Sequence, residues 1–189
     1  MKTFKLLNFA LVFTLILSSC SSDDDNNVTN LPAPVNEEEV ITTLTATLTP
    51  AGGGTAVTLQ TRDLDGDGGN PPVITVSGDL VSGTTYNGVI VLLNETVNPA
   101  ENITEEVEAE ADEHQFFYTI AAGLDATTTY SNFDSNGNNL GTQFTLTANA
   151  MSSGTLTFTL RHEPTKPNTG LADAGGETDI STTFSVNIQ

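Results

Sequence analysis

The acidic run at residues 63–69 is the strongest local candidate for cation chemistry. Its sequence is Asp63-Leu64-Asp65-Gly66-Asp67-Gly68-Gly69. Carboxylates at alternate positions followed by glycine can fold a tight loop around a hard cation. The twelfth position of an EF-hand loop would be Ile74 instead of glutamate, which excludes an EF-hand. We therefore expect a loop between strands in which Asp63, Asp65 and Asp67 bind Ca²⁺. The alternative is a turn that uses Asp and Gly for backbone reasons alone.

Two histidines form a second candidate metal site. His114 begins a run of alternating apolar residues and His162 ends another, so each imidazole shares a face with core residues. Nearby acidic residues that could join them are Glu163, Glu177 and Asp179. If these strand ends meet, two imidazoles and two carboxylates could bind a transition metal. The alternative is that each histidine lies at the core edge, bonded to backbone or to a carboxylate.

Covalent catalysis and sugar binding have little support in the sequence. No serine lies in a Gly-x-Ser-x-Gly context, and the chain has no Trp for stacking on sugar rings. Phe116, Tyr118, Phe158 and Phe184 alternate with polar residues, which predicts packing in a core. We predict a protein that is not an enzyme.

The elements that would position these residues are short β-strands. Period-two alternation runs through residues 40–48, 55–62, 73–77, 84–93, 114–121, 142–149, 154–162 and 180–188. About eight strands separated by Gly, Asn, Asp and Pro predict an all-β fold, an antiparallel immunoglobulin-like β-sandwich. One short helix is predicted over 102–113, capped by Asn102, with Ile103, Val107 and Ala111 on its apolar face.

The N-terminal residues predict a lipid anchor. Lys2 and Lys5 precede an apolar stretch, and Leu17-Ser18-Ser19-Cys20 fits a lipobox. The apolar stretch, residues 6–17, is shorter than the roughly 20 residues that a membrane-spanning helix needs. We expect residues 1–19 to be a lipoprotein signal peptide and Cys20 to carry lipid. Residues 20–37 are then a flexible acidic and proline-containing tether, and residues 38–189 a single β-sandwich domain.

Charge limits the partners of the chain. The signal segment contains two of the five basic residues, so three basic residues face 24 acidic ones afterwards. Nucleic acid is thereby excluded as a partner, because phosphate contacts need clustered Lys or Arg. The same balance favours divalent cations, which relieve repulsion between carboxylates.

The chain resembles small surface lipoproteins of flavobacteria, a group of the Bacteroidota. The resemblance rests on the motif at 63–69 and on residues 112–115, 160–164 and 175–180. Separately, Ser21, Ser22, Asp23, Asp24 and Asp25, directly after Cys20, resemble the lipoprotein export signal of the Bacteroidota. This resemblance implies transfer to the outer face of the outer membrane; the alternative is a simple solvated tether. Similar proteins are often labelled as type 1 periplasmic-binding-fold proteins, which implies a two-lobed α/β receptor, whereas the strand pattern predicts an all-β domain.

These observations predict a surface-exposed, lipid-anchored binding module that interacts with a protein or another envelope component and is stabilised by Ca²⁺. Two alternatives remain open. One is a transition-metal-binding or metal-dependent envelope protein that uses His114 and His162. The other is a structural envelope component without a small-molecule ligand.

Overall fold

The period-two pattern folds into two antiparallel sheets. The computed structural model describes residues 39–66 and 68–189. The strands of this part of the chain are β1 (Thr43–Pro50), β2 (Val57–Arg62), β3 (Val73–Val76), β4 (Thr84–Asn94), β5 (Glu101–Asn102), β6 (His114–Ile120), β7 (Ala126–Tyr130), β8 (Gln143–Ala148), β9 (Ser152–His162) and β10 (Glu177–Ile188). The helices are α1 (Ile103–Ala109) and α2 (Leu171–Ala174).

The larger sheet has the strand order β3-β2-β1-β4-β8-β7, and the short β5 pairs with β4. The smaller sheet has the order β10-β9-β6. All pairings between these strands are antiparallel. Antiparallel sheets can bury one face and leave the other in water, which explains the clean alternation in the sequence.

The inner faces of the two sheets share one apolar core. In β1, Leu44, Ala46 and Leu48 are fully buried while the threonines between them are half-buried. The rings of Phe144 and Phe158, one from each sheet, lie 5.7 Å apart between centroids in an edge-to-face arrangement. Such aromatic contacts stabilise beyond the area that they bury. The prediction that Phe116, Tyr118, Phe158 and Phe184 pack in the core is confirmed.

The predicted all-β sandwich is confirmed, with differences in detail. Two strands without strong apolar alternation, β5 and β7, were not predicted. Helix α1 ends at Ala109 rather than at residue 113. Asn102 precedes the helix but makes no side-chain cap to its backbone; its amide donates instead to the Glu105 carboxylate at 2.9 Å. Ile103 and Val107 are buried as expected.

The two helices described contain 7 and 4 residues, so this part of the chain lacks the α/β architecture that the periplasmic-binding label implies. No helix found within residues 39–66 and 68–189 has the length and apolar character needed to cross a membrane. Residues 1–38 and Asp67 lie outside the described part. The signal peptide, Cys20, the residues 21–25 and the tether therefore stay predictions.

Candidate metal site

Four side chains converge at one end of the smaller sheet. They are Glu39, His114, His162 and Asp179, and one potential ligand atom from each lies within 4.8 Å of the others. Their side chains are almost completely removed from solvent, with exposures between 0% and 6%. Two imidazoles and two carboxylates are thus held together in a buried pocket of the fold.

Strand pairing brings the two histidines together. His114, the first residue of β6, is the direct partner of His162, the last residue of β9. Their rings stack with centroids 4.6 Å apart and planes inclined by 29°. The Lys166 ammonium donates to the backbone carbonyl of His114 at 2.5 Å and to that of Ala111 at 2.7 Å. These bonds fix the start of β6 and hence the position of the imidazole.

A β-bulge supplies Asp179. In β10, Thr178 pairs with Arg161 and Ile180 pairs with Leu160, so Asp179 is the unpaired extra residue between them. A bulge re-aims the side chain of its extra residue. Without it, Asp179 would alternate with the inward-facing Ile180 and Thr182 and point to solvent. The bulge instead directs the Asp179 carboxylate towards the histidines.

Glu39 comes from outside the smaller sheet. It precedes β1, an inner strand of the larger sheet. Its carboxylate contacts both imidazoles. The sequence pattern missed it because the alternation breaks at this point. Thr42 and Thr43 are both buried, and Val40, the first residue of the predicted alternation over 40–48, is 56% exposed. The one signal for Glu39 is that it lies two residues before Ile41, which packs against the core.

The separations fit the first coordination shell of a metal. His114 Nε2 lies 2.7 Å from Glu39 Oε1 and 4.0 Å from Asp179 Oδ2. His162 Nδ1 lies 3.4 Å from Glu39 Oε2 and 3.6 Å from Asp179 Oδ1. A tetrahedral zinc site with its usual bond lengths has ligand–ligand edges of about 3.3 Å. The four observed separations involve both oxygens of each carboxylate and lie between 2.7 and 4.0 Å, so small shifts of the side chains would bring four ligand atoms to this spacing.

The surroundings of His114 orient it as a ligand. Its Nδ1 lies 3.2 Å from the backbone carbonyl of Glu110, an acceptor that requires the proton on Nδ1. In the neutral imidazole, Nε2 then carries the lone pair, and this nitrogen faces the cluster. Metal-bound histidines commonly donate their other ring N–H to a carbonyl in this way. The 2.7 Å contact with Glu39 lacks the angle of a hydrogen bond, since Nε2 has no hydrogen-bond partner among the described residues.

Several buried oxygen atoms of the cluster also lack hydrogen-bond partners within the described residues. They are Glu39 Oε2 and both carboxylate oxygens of Asp179. Leaving a buried carboxylate without donors is costly. A bound cation would remove this cost, which makes the orphaned oxygens an observation in favour of a ligand independent of the residue types.

The pKa values of the cluster also show that its buried carboxylates lack sufficient positive charge. Burial disfavours a charged His114, but the contact with Glu39 outweighs it and raises the pKa of His114 above its usual range. Burial opposes ionisation of Glu39 as well, yet the contact with His114 outweighs it and lowers the pKa of Glu39. Burial and the charge of Glu39 together raise the pKa of Asp179 to about 7. The two carboxylates therefore resist being ionised together unless a cation is present.

The other residues predicted for the histidine site lie outside the cluster. Glu163 and Glu177 are exposed, and neither belongs to the group of converging ligands. Glu177 is the strand partner of His162, but its side chain points to solvent. Of the acidic residues predicted beside the histidines, Asp179 is the one that the structure brings to them.

The acidic loop is described in part. The Asp65 carboxylate accepts hydrogen bonds from the side-chain amide of Asn70 at 2.8 Å and from its backbone N–H at 3.4 Å. Asp63 Oδ1 is buried without a hydrogen-bond partner among the described residues. Because Asp67 is outside the described residues, the triad cannot be assembled, and Ca²⁺ binding there stays a prediction.

Comparisons with known proteins give no family for this chain. No protein-family model, curated protein or solved structure matches it. The fold and the cluster therefore define the molecule as an all-β sandwich with a candidate metal site.

Proposed function

We propose that this chain is a lipid-anchored envelope protein whose β-sandwich binds one divalent transition-metal ion through Glu39, His114, His162 and Asp179. The observation that carries the proposal is the buried convergence of two imidazoles and two carboxylates, with three carboxylate oxygens lacking partners among the described residues. For this reason we favour the transition-metal alternative over the Ca²⁺-stabilised module.

The donor set favours a particular class of metal. Imidazole suits zinc, copper, iron and nickel, whereas Ca²⁺ prefers six to eight oxygen ligands. Two ionised carboxylates carry two negative charges and two neutral imidazoles carry none, so together they would balance the two positive charges of a divalent ion. Zn²⁺ is the first candidate, because it accepts mixed nitrogen and oxygen ligands in a tetrahedral arrangement.

Four protein ligands favour binding over catalysis. Catalytic zinc sites commonly have three protein ligands and keep the fourth position open for water or substrate, whereas structural sites are closed by four. The side chains of the cluster are also almost inaccessible to solvent. These features support a non-enzymatic role in which the ion stabilises the domain or is carried as cargo.

The proposed location rests on the sequence. The lipobox ending at Cys20 and the acidic residues behind it support a lipoprotein at the outer face of the outer membrane. There the domain would meet metal ions from the medium.

Metal titration tests the proposal. The full mature chain, purified in detergent and stripped of metal with a chelator, is titrated with Zn²⁺ in a calorimeter. We expect one ion per chain and a loss of affinity of at least about 100-fold in His114→Ala and in His162→Ala, since loss of even an outer-shell partner costs roughly 10–100-fold. The exposed Glu177→Gln is the matched control and should bind like the wild type.

Two results would overturn the proposal. One is the absence of binding with Zn²⁺, Co²⁺, Ni²⁺ and Cu²⁺ alike. The other is unchanged affinity in both histidine variants. Titration with Ca²⁺, in the wild type and in Asp65→Asn, separately tests the predicted site at Asp63, Asp65 and Asp67.

A further inference from the structure

The four ligands are divided unevenly between the two sheets. His114, His162 and Asp179 lie on the three strands of the smaller sheet, β6, β9 and β10. Glu39 lies on the short segment that leads into β1 of the larger sheet. A metal ion bound by all four would therefore link this segment to the opposite sheet.

We infer that residues 39–41 form a metal-operated clasp: an ion binds to His114, His162 and Asp179 and is enclosed when Glu39 closes over it. This inference rests on the proposed metal binding and adds how the buried site is loaded and what the ion controls. The clasp is defined here as Glu39, Val40 and Ile41.

The three ligands of the smaller sheet are held firmly by their strands. His114 and His162 are direct partners in the β6–β9 ladder, and the pairs on both sides of the bulge fix Asp179. The clasp has much weaker attachment. Among the described residues, its backbone bonds to the larger sheet begin only at Thr42, whose N–H donates to the Leu93 carbonyl at 2.9 Å.

The side chains of the clasp agree with this difference. Val40 is 56% exposed, and Ile41 is only partly buried. Among the described residues, the clasp is therefore attached by the contacts of the Glu39 carboxylate with the two imidazoles and by the packing of Ile41 against the core. Segments with few buried apolar contacts and few backbone bonds open at low free energy.

A cavity beside the clasp gives it room to move. The cavity has a volume of about 420 Å³, and its lining includes Ile41, Thr42, Asp179 and Ile180. It therefore borders both the clasp and Asp179, whose carboxylate is covered in the closed arrangement. An ion could approach through this cavity while Glu39 is turned away.

A bound cation would stabilise the closed position of the clasp. In the closed arrangement Glu39 and Asp179 both approach the same imidazoles, and three of their oxygens lack hydrogen-bond partners within the described chain. Without a cation, the contact with His114 holds Glu39 in place, and repulsion from Asp179 and the loss of hydration oppose it. With a divalent ion between them, the same two carboxylates attract the ion and hold the clasp shut.

Amide hydrogen exchange measured by mass spectrometry tests the clasp. The full mature chain in detergent is compared with and without saturating Zn²⁺, and exchange is followed in the peptide that contains residues 39–42. We expect exchange in this peptide to slow by at least about tenfold with Zn²⁺, because opening then requires loss of a metal ligand.

Glu39→Gln is the decisive variant, and Glu38→Gln, a neighbouring residue of the same type, is its control. We expect Glu39→Gln to bind Zn²⁺ about 10–100-fold more weakly and to show no slowing of exchange at saturating Zn²⁺. Glu38→Gln should behave as the wild type does in both measurements.

The outcomes separate the two proposals. If calorimetry detects no metal binding, both the proposed function and the clasp are wrong. If Zn²⁺ binds one per chain but exchange in residues 39–42 is unchanged, or Glu39→Gln retains full affinity, the clasp is wrong while a metal site on the three remaining ligands stands.

Discussion

Asp179 has opposite effects on the domain with and without metal. Its side chain is fully buried, neither of its carboxylate oxygens has a hydrogen-bond partner among the described residues, and the Glu39 carboxylate lies against the same imidazoles. An ionised carboxylate in this position destabilises the metal-free fold. The same carboxylate is a ligand that the metal-bound state needs.

Asp179→Asn should therefore separate stability from binding. The amide keeps the size of the side chain but removes its charge. In the presence of a chelator at pH 8, we expect the variant to unfold with a free energy roughly 1–4 kcal/mol higher than that of the wild type. We expect its affinity for Zn²⁺ to fall by at least about 100-fold. Urea unfolding and calorimetry measure the two effects.

The raised pKa of Asp179 also predicts how the stability of the metal-free domain changes with pH. Since the folded-state pKa of Asp179 is raised from 3.8 to about 7, its effect on stability is absent below pH 4 and becomes unfavourable as the pH rises towards 7. Metal-free wild type should lose stability over this interval more steeply than Asp179→Asn. If the unfolding free energy of both proteins changed equally with pH, ionisation of Asp179 would not be what destabilises the metal-free domain.

Among the elements, the bulge in β10 depends on a close approach at the turn before it. Gly176 has a φ of 69°, and an added Cβ would collide with the backbone carbonyl oxygen of His162. Gly175, with a φ of 63°, has open space around it apart from the Thr165 hydroxyl at 4.0 Å. Both glycines thus have a positive φ that would strain a residue with a side chain. Only at Gly176 would an added Cβ also collide with a neighbouring atom.

Gly176→Ala should disturb both the fold and the metal site. The positive φ costs an alanine about 1–2 kcal/mol, and the collision adds about 1–3 kcal/mol. We expect a loss of about 3 kcal/mol in unfolding free energy and weaker Zn²⁺ binding, because His162 and the bulge must shift apart. Gly175→Ala should lose only the backbone cost and keep its metal affinity. Similar losses in both variants would contradict a specific contact at Gly176.

The strands show what the sequence could and could not predict. Alternation correctly assigned β4, β8, β9 and β10 to within a few residues, because one face of each is more buried than the other. It also assigned β6, although the first four residues of that strand are all buried. It missed β7 (Ala126–Tyr130), whose residues are all half-buried or exposed. Alternation also placed the two histidines on inward faces, which the structure confirms.

Alternation does not specify which strands pair, and the site depends on pairing. Only the β6–β9 register brings His114 against His162, and only the unpaired position in β10 turns Asp179 inward. Glu39 was unpredictable for a related reason, since the pattern breaks between Ile41 and Leu44. A side chain that lies outside regular pairing carries no periodic signal.

At the scale of the whole molecule, the acidic composition and the candidate site favour the same partner. The chain has 24 acidic residues against 5 basic ones, and such a field raises the local concentration of divalent cations near the surface. Long-range attraction and a buried binding site would act in sequence, the first gathering ions and the second selecting among them. Gathering ions in this way requires a supply of ions around the domain, whereas the buried site itself does not depend on location, so the location is tested separately.

The location can be tested at the N-terminus. Cys20→Ser removes the thiol that would carry lipid. We expect this variant to leave the membrane fraction, because the acyl chains that would anchor the protein are then absent. Replacing Asp23, Asp24 and Asp25 with alanine leaves lipidation intact. In a flavobacterial cell we expect that variant to stay in the membrane but to become resistant to protease added outside intact cells, while the wild type is degraded.

Replacing Asn26 and Asn27 with alanine is the matched control, since it alters the adjacent polar residues without removing charge. This control should be degraded like the wild type. Continued degradation of the triple aspartate variant would mean that its charges act only as a solvated tether. The predicted export signal would then be wrong, whereas the lipid anchor at Cys20 and the metal site would be unaffected, because neither depends on which face of the membrane the domain occupies.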